Sequence, residues 1–519
     1  MVDDRNVVMG MPSWFAVLMS ALPILVALIL LIGFKVSSLR TAVCVYVLAV
    51  VLATIPTSFQ IPLAAIGFAS MQGVLLSLVI VFVLIFGLLL YNVLHTGGAI
   101  ETISSAFTKQ AHLPVQQALL ISAALGPFLE ATSGFGIGIV IAAPLFLAVG
   151  FSPRKTVLLS LLTQTAVPWG ALAVGTVINA ELSDVSLHQL GVTSALATIP
   201  LYLMYTVAVV VIAGGWTGVR QYKGTIVAVW LLLSVCTWAT NAFISTQLAA
   251  VVAGAVTAAA LLGYWRLVHG STRTVNTETA AAVDSTSSSH VSLVRAGLPY
   301  AILVGYLVCT SLIPVVSSFA NGVLVLRLPA FGYRLALLDN PGFALFLTSV
   351  VAVIIYRLSW TQACRCFVNT LRQAYPAVVS TVGFVAMSTV MQKAGMINCI
   401  SSALAFLFGG SFLLVSPLIG GLGGFISGSN SAANAMLAPF QSAMAHKLHS
   451  SALLYATSQN VSAANMSYAS PSRISLATVV SKQVGKEGEF IRQVLPLSLA
   501  AVAMVMVFNV MFWVFIKSI

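Results

Sequence analysis

The chain has 519 residues, 59% of them hydrophobic and 7% charged, with a mean hydropathy of +1.04 and a formal net charge of +12. Soluble domains carry about 25% charged residues, whereas here apolar runs of about 20 residues recur along the whole length, the mark of a polytopic α-helical membrane protein. The alternation of a barrel is absent, the basic excess joins no nucleic-acid motif, and no Walker A, HExxH, zinc spacing or dinucleotide fingerprint occurs, so nucleic-acid binding, ATP-driven transport, a metal and a cofactor all lack support.

In chain order, spans are expected at 13–34, 41–56, 73–94, 155–175, 191–213, 224–240, 245–266, 296–315, 341–357, 376–393, 450–470 and 494–516. The first is too long for a leader's apolar core and is preceded by Asp3 and Asp4, so no cleavable signal is expected. Two further apolar stretches, 115–149 and 411–445, are broken by ATSGFGIG (131–138) and SGSNSAAN (427–434). Both read as re-entrant hairpins, because irregular backbone at membrane depth survives only against a cavity or within protein. Segments 57–72 and 360–375 read as interfacial helices, and 269–292 as a polar low-complexity linker.

A repeat organises these elements. GAIETISSA at 98–106 returns as GMINCISSA at 395–403, an offset of 297, and LGPF at 125–128 returns as LGGF at 422–425. TVLLSLLTQ (156–164) pairs with SALLYATSQ (451–459), and IPLYL (199–203) with LPLSL (495–499). An odd number of crossings separates equivalent spans, so the repeats are inverted. The expected fold is all-α, with twelve spans and two hairpins: repeat one over 1–215, linking helices over 216–268, the linker, and repeat two over 293–519. If each hairpin returns to its own side, the basic residues divide 17 and 6, together the 23 Lys and Arg. The richer face is then cytoplasmic and both termini lie outside.

Of eleven acidic residues, only Glu130 falls inside a membrane-embedded element, at the tip of the first hairpin. A carboxylate there costs about 2.5–3.5 kcal/mol on insertion scales, and apolar surroundings favour its neutral form, so Glu130 is the candidate proton carrier. Thr132, Ser133 and Gly134 in the first break, and Ser429, Asn430, Ser431 and Asn434 in the second, offer hydroxyls, amides and unpaired backbone groups for a small carboxylate. Gln164 and Gln459 share a position after each hairpin. Pro168 breaks the span that holds Gln164, and the polar run of Ser458, Gln459 and Asn460 predicts that the equivalent span is unwound too. No Lys or Arg lies mid-span. Arg473, just after the broken span, reads as a positive-inside anchor, with approach to an anion from the cytoplasmic side as the alternative, and His446 and His449 read as interfacial.

LGPFLEATSGFGIGIVIAAPLFLAVGFSP (125–153) with QTAVPWGALAVGT (164–176), and GFISGSNSAANAMLAPFQ (424–441) with ASPSRISLATVVSKQVGKEG (469–488), resemble the signature regions of the bacterial L-lactate permease family, which includes glycolate permeases. The resemblance implies proton-coupled uptake of a small 2-hydroxymonocarboxylate across the inner membrane, with Glu130 as the family's hairpin glutamate. The chain departs from the family's pattern at Asn430, where an acid is usual, and at Ser467 and Tyr468, where a lysine is usual. The alternatives are a Na⁺-coupled carrier of another organic anion, such as a dicarboxylate, and an anion channel. The partners expected are thus a small organic anion, H⁺ or Na⁺ and the bilayer, with a homo-oligomer left open.

Overall fold

A computed structural model describes residues 14–34, 36–100, 102, 113–134, 136–269, 291–331 and 333–518. Most of the expected linker 269–292, and Phe135 in the first break, lie outside the described residues, as does the side chain of Ser133.

The chain folds into α1 (Trp14–Leu28), α2 (Ser38–Thr54), α3 (Leu63–Thr96), α4 (Pro114–Leu119), α5 (Gly126–Ser133), α6 (Ile137–Val149), α7 (Pro153–Leu161) and α8 (Gly170–Ser183). Then come α9 (Leu187–Gln221), α10 (Lys223–Phe243), α11 (Ala249–His269), α12 (Leu293–Leu312) and α13 (Pro314–Gly322). A two-stranded antiparallel ribbon, β1 (Val325–Leu328) with β2 (Tyr333–Ala336), leads into α14 (Pro341–Ile355) and α15 (Trp360–Lys393). The last elements are α16 (Met396–Phe408), α17 (Phe412–Ser427), α18 (Asn430–Lys447), α19 (Ala452–Ser467), α20 (Pro471–Val480) and α21 (Glu487–Ser518).

Among the described residues nine helices are long and apolar enough to cross a membrane, and the protein is a multi-pass, all-helical membrane protein apart from the short ribbon. Eight of the twelve expected spans overlap those nine, while 155–175 and 450–470 match none of them. Spans 41–56 and 341–357 form shorter apolar helices, α2 and α14. The ninth long run, Met396–Ser427, includes α16, where only a connection before the hairpin was expected.

Two sequence expectations need correction. The segments read as interfacial helices do not stand apart: α3 and α15 absorb residues 63–72 and 360–375 and run unbroken for 34 residues each. At 1.5 Å per residue each spans about 50 Å, longer than a hydrocarbon core. The polar residues that mark the start of α15 are accommodated by a capping box of Ser359 and Gln362. The run 452–467 is likewise not unwound but one continuous helix, α19, interrupted only at 468–470 ahead of Pro471. Apart from Ser462, whose hydroxyl is buried without a partner among the described residues, its polar side chains find partners on other elements or on their own preceding turn, as Asn465 Nδ2 does at Val461 O, 2.7 Å.

The starts of α3 and α15 are 297 positions apart (360 − 63), and left-handed glycines, Gly98 and Gly395, follow both. The two helices pack on each other, while α2 packs on α15 and α14 packs on α3. Beside this bundle, α5 packs on α6 and α17 on α18, each pair joined through a glycine break. α17 lies close enough to α19 that a Cβ on Gly424 would sit 1.9 Å from the Ala463 carbonyl oxygen, the small-residue contact by which helices approach closely.

Candidate functional site

Both breaks form where the sequence places glycine. Gly134 and Gly136 have φ of +64° and +83°, and Gly428 has +63°, conformations that cost a residue with a Cβ about 1–2 kcal/mol. After the second break, Ser429 Oγ accepts from Ala432 N at 3.3 Å and caps α18. A third irregular stretch lies between them. α7 ends at Leu161, two short 3₁₀ turns follow at 162–164 and 167–169, and Leu172 and Ala173 both have positive φ before α8 proceeds. Fully buried Trp169 pins this stretch by donating to Asn241 Oδ1 at 3.2 Å.

The side chains gather into two clusters on either side of that stretch. In the first, Glu130, 2% exposed, accepts from Gln164 Nε2 at 3.0 Å. Gly138 and Gly170 leave room for this pair: a Cβ on Gly138 would lie 3.1 Å from Gln164 Nε2, and one on Gly170 3.4 Å from Glu130 Oε1. Gln164 Oε1 and the neighbouring Thr165 hydroxyl are buried without a hydrogen-bond partner among the described residues.

The second cluster is a neutral amide network where α18 and α19 meet α8. Asn430 Nδ2 and Asn434 Nδ2 each donate to Asn460 Oδ1 at 3.0 Å, and Asn434 also donates to Gly175 O at 2.9 Å. Asn460 in turn donates to Thr176 Oγ1 at 3.0 Å and Ser194 Oγ at 3.1 Å. Gln459 donates to Asn434 Oδ1 at 3.3 Å and accepts from Gln441 at 3.3 Å. The 164–176 stretch thus carries Gln164 beside Glu130 and Gly175 beside Asn430.

Glu130, Gln164, Asn430, Asn434, Gln459 and Asn460 come together in these clusters. Thr132 does not: its hydroxyl turns back to Phe128 O and Leu129 O at 3.0 and 3.1 Å. Half-buried Ser431 makes no hydrogen bond to either cluster among the described residues. Thr176, Ser194 and Gln441 join the network although nothing in the sequence singles them out.

Arg473 requires the largest correction. Read as a surface anchor, it is 8% exposed and lies between the two breaks. Its Nε donates to Gly428 O at 3.0 Å, and a Cβ on Gly136 would sit 2.1 Å from Nη1. The signal available in the sequence was isolation: it is the only basic residue between His449 and Lys482, two positions after the Pro471 that reopens the helix. Among the described residues, Glu130 and Arg473 are the only buried charged side chains.

Clefts approach this region from opposite ends of α18. One, of about 360 Å³, is lined by Val36, Ser38, Phe425, Ser427, Pro471 and Ser472. The other, of about 550 Å³, is lined by Asp184, Gln392, Asn398, Ser442, His446 and Lys447. His446 and Lys447 line this cleft, and among the described residues no group of three or more His, Cys, Asp or Glu side chains is placed to hold a metal ion.

The sequence profile of the L-lactate permease family matches residues 16–332 and 327–516. The chain is 23% identical to an L-lactate permease of Salmonella typhi, covering 95% of each chain. It is 24% identical to an L-lactate permease of Bacillus subtilis (strain 168), and 22% identical to a glycolate permease of Escherichia coli (strain K12), over 84% of this chain and 85% of each relative. Among solved structures it is similar to the YdaH transporter of Alcanivorax borkumensis, at 16% identity and a TM-score of 0.50, covering 87% of this chain and 88% of that one, a likeness of fold. These relatives are permeases, not enzymes. On a profile match that spans nearly its whole length, the chain belongs to the L-lactate permease family.

Proposed function

We propose that this protein is a secondary transporter that carries a small 2-hydroxymonocarboxylate, of the L-lactate or glycolate kind, together with a proton across the bacterial inner membrane. One observation carries the coupling: Glu130 is the only buried carboxylate among the described residues, and it sits at a helix break against Gln164. An intramembrane ionisable group in that setting is the natural proton carrier, charged when its cavity is wet and neutral when it closes. The amide cluster beyond it supplies donors and acceptors that suit a hydroxyl group and one carboxylate.

The two clefts at opposite ends of α18 support alternating access to a shared site. The helix between them, Asn430–Lys447, is 18 residues long, about 27 Å. The inverted-repeat reading, with repeats over 1–215 and 293–519, draws support from the equal lengths, 297-residue offset and mutual packing of α3 and α15. In that arrangement α5–α6 and α17–α18 are re-entrant hairpins entering from opposite sides, and both termini are periplasmic.

The test is uptake of labelled L-lactate and glycolate into proteoliposomes of the full-length protein, first under an imposed pH gradient and then under a Na⁺ gradient. Accumulation driven by inward-acid pH and indifferent to Na⁺ is expected. Accumulation that follows Na⁺ alone refutes the proton coupling. Flux that neither saturates nor exceeds equilibrium refutes the carrier in favour of a channel.

A further inference from the structure

Arg473 occupies the N-terminal turn of α20, where its backbone N–H donates to Ser470 Oγ at 3.3 Å. From there the side chain runs inward. A guanidinium is always charged and presents five N–H donors in a planar fork. Here Nε is engaged by Gly428 O, while Nη1 is buried with no hydrogen-bond partner among the described residues. The Glu130 carboxylate is held by Gln164 and has no hydrogen bond to Arg473. A buried cation without a hydrogen-bonded counter-charge is strongly unfavourable, so a carboxylate received at Nη1, the buried donor that Gly428 does not engage, would supply the partner that burial demands.

The surroundings match that reading. Gly136 brings backbone to within contact of Nη1 where any side chain would collide with it. Ser472 and Ser470, whose hydroxyls lie 3.1 Å apart, flank the Gly428 break on the other side. Ser472 also lines the 360 Å³ cleft, so the guanidinium lies one residue from a route to water.

We propose that Arg473 binds the carboxylate of the transported anion at the junction of the two helix breaks, and so ties both hairpins to the occupancy of the site. This rests on the reading of the chain as a carrier of small organic anions, and it names the group that recognises them. A single guanidinium beside a neutral amide network matches one negative charge, so monocarboxylates are selected over dicarboxylates.

The experiment uses full-length protein in proteoliposomes and measures counterflow of labelled L-lactate, with lactamide as the uncharged competitor. Wild type is expected to be inhibited by unlabelled lactate and not by lactamide. Arg473→Gln is expected to raise the KM for lactate about 30-fold or more, as loss of one partner of a buried charge pair implies, and to lose the discrimination between acid and amide. Arg473→Lys keeps the charge without the fork and is expected to fall between them. A purely structural role would lower the melting temperature of both variants and leave the lactate-to-lactamide ratio unchanged.

If Arg473→Gln does not fold, phenylglyoxal modification of wild type replaces it. Protection of Arg473 by lactate but not lactamide upholds the assignment, and equal reactivity overturns it. Wild-type KM in either variant overturns it while leaving lactate transport standing. If wild type moves neither lactate nor glycolate, the same variants are run on whichever small carboxylate a counterflow panel identifies. Dependence on Arg473 there upholds the assignment and overturns the substrate reading; movement of no anion overturns both.

Discussion

Replacing Glu130 by Gln separates coupling from binding. Under the proposed coupling through Glu130, the one buried carboxyl among the described residues implies one proton per cycle. A gradient of one pH unit is worth about 1.36 kcal/mol per proton, or about tenfold at equilibrium. With the membrane potential clamped at zero and lactate moving with its proton as a neutral pair, wild type is expected to accumulate lactate about tenfold for each pH unit, acid outside. Glu130→Gln retains the volume and an amide oxygen to accept from Gln164, so its stability is expected to fall by only roughly 1 kcal/mol. Glu130→Ala leaves Gln164 Nε2 with only the Thr163 hydroxyl at 3.4 Å and opens a cavity, a loss of about 2–4 kcal/mol. The Gln variant should therefore fold, exchange lactate in counterflow and bring it only to equal concentration under the pH gradient. Tenfold accumulation surviving in Glu130→Gln would refute the assignment of the proton. A folded variant that has lost counterflow would show that the carboxyl serves binding instead.

Further outcomes follow from the packing and the clefts. Asn434→Ala removes donors from Gly175 O and Asn460 Oδ1, and a loss of roughly 2 kcal/mol, read as a lower melting temperature in detergent, should accompany loss of lactate uptake. Gly424→Ala forces a Cβ against the Ala463 carbonyl and should cost about 1–3 kcal/mol or prevent folding. Gly67→Ala, which meets nothing within 4 Å in α3, should stabilise by about 0.5–1 kcal/mol; equal melting temperatures for the two would undo the packing argument. In a background with the six cysteines replaced, Ser472→Cys and Asn398→Cys should react with an impermeant maleimide from opposite sides of the membrane, with lactate altering at least one rate. Labelling of both from one side would rule out the two-cleft arrangement.

Much of the fold was legible because glycine and proline act through the backbone of their own neighbourhood. The breaks expected at 131–138 and 427–434 fall at Gly134, Gly136 and Gly428, and Pro168 marks the irregular stretch between α7 and α8. What the sequence misdirected depends on partners distant in the chain. The polar run of α19 resembles an unwound segment until Ser458 is seen bonded to Asn509, 51 residues away, and Asn460 to Thr176, 284 residues away. The polar beginning of α15 resembles a surface helix until its continuation into the bundle is seen, with Thr370 accepting from Asn92 Nδ2 at 2.9 Å.

The burial of Arg473 escapes a sequence reading for a further reason, which bears on mechanism. The repeat directs attention to positions that match between the halves, and the two buried charges do not match. At the 297-residue offset Glu130 falls on Ser427 (130 + 297), and at the offsets of 295 and 296 that hold on either side of it Arg473 falls on Ile178 or Val177 (473 − 295, 473 − 296). A repeated scaffold supplies two breaks and two approaches that are equivalent by construction. A carrier that couples an anion to a proton needs one group for each, and they cannot be equivalent. In the proposed arrangement the acid belongs to the first half and the base to the second, so that neither half would hold a complete site, and Arg473, which contacts Gly428 O and lies against Gly136, would make the juxtaposition of the two breaks a condition of binding. The charges that break the repeat are thus where its function should be sought.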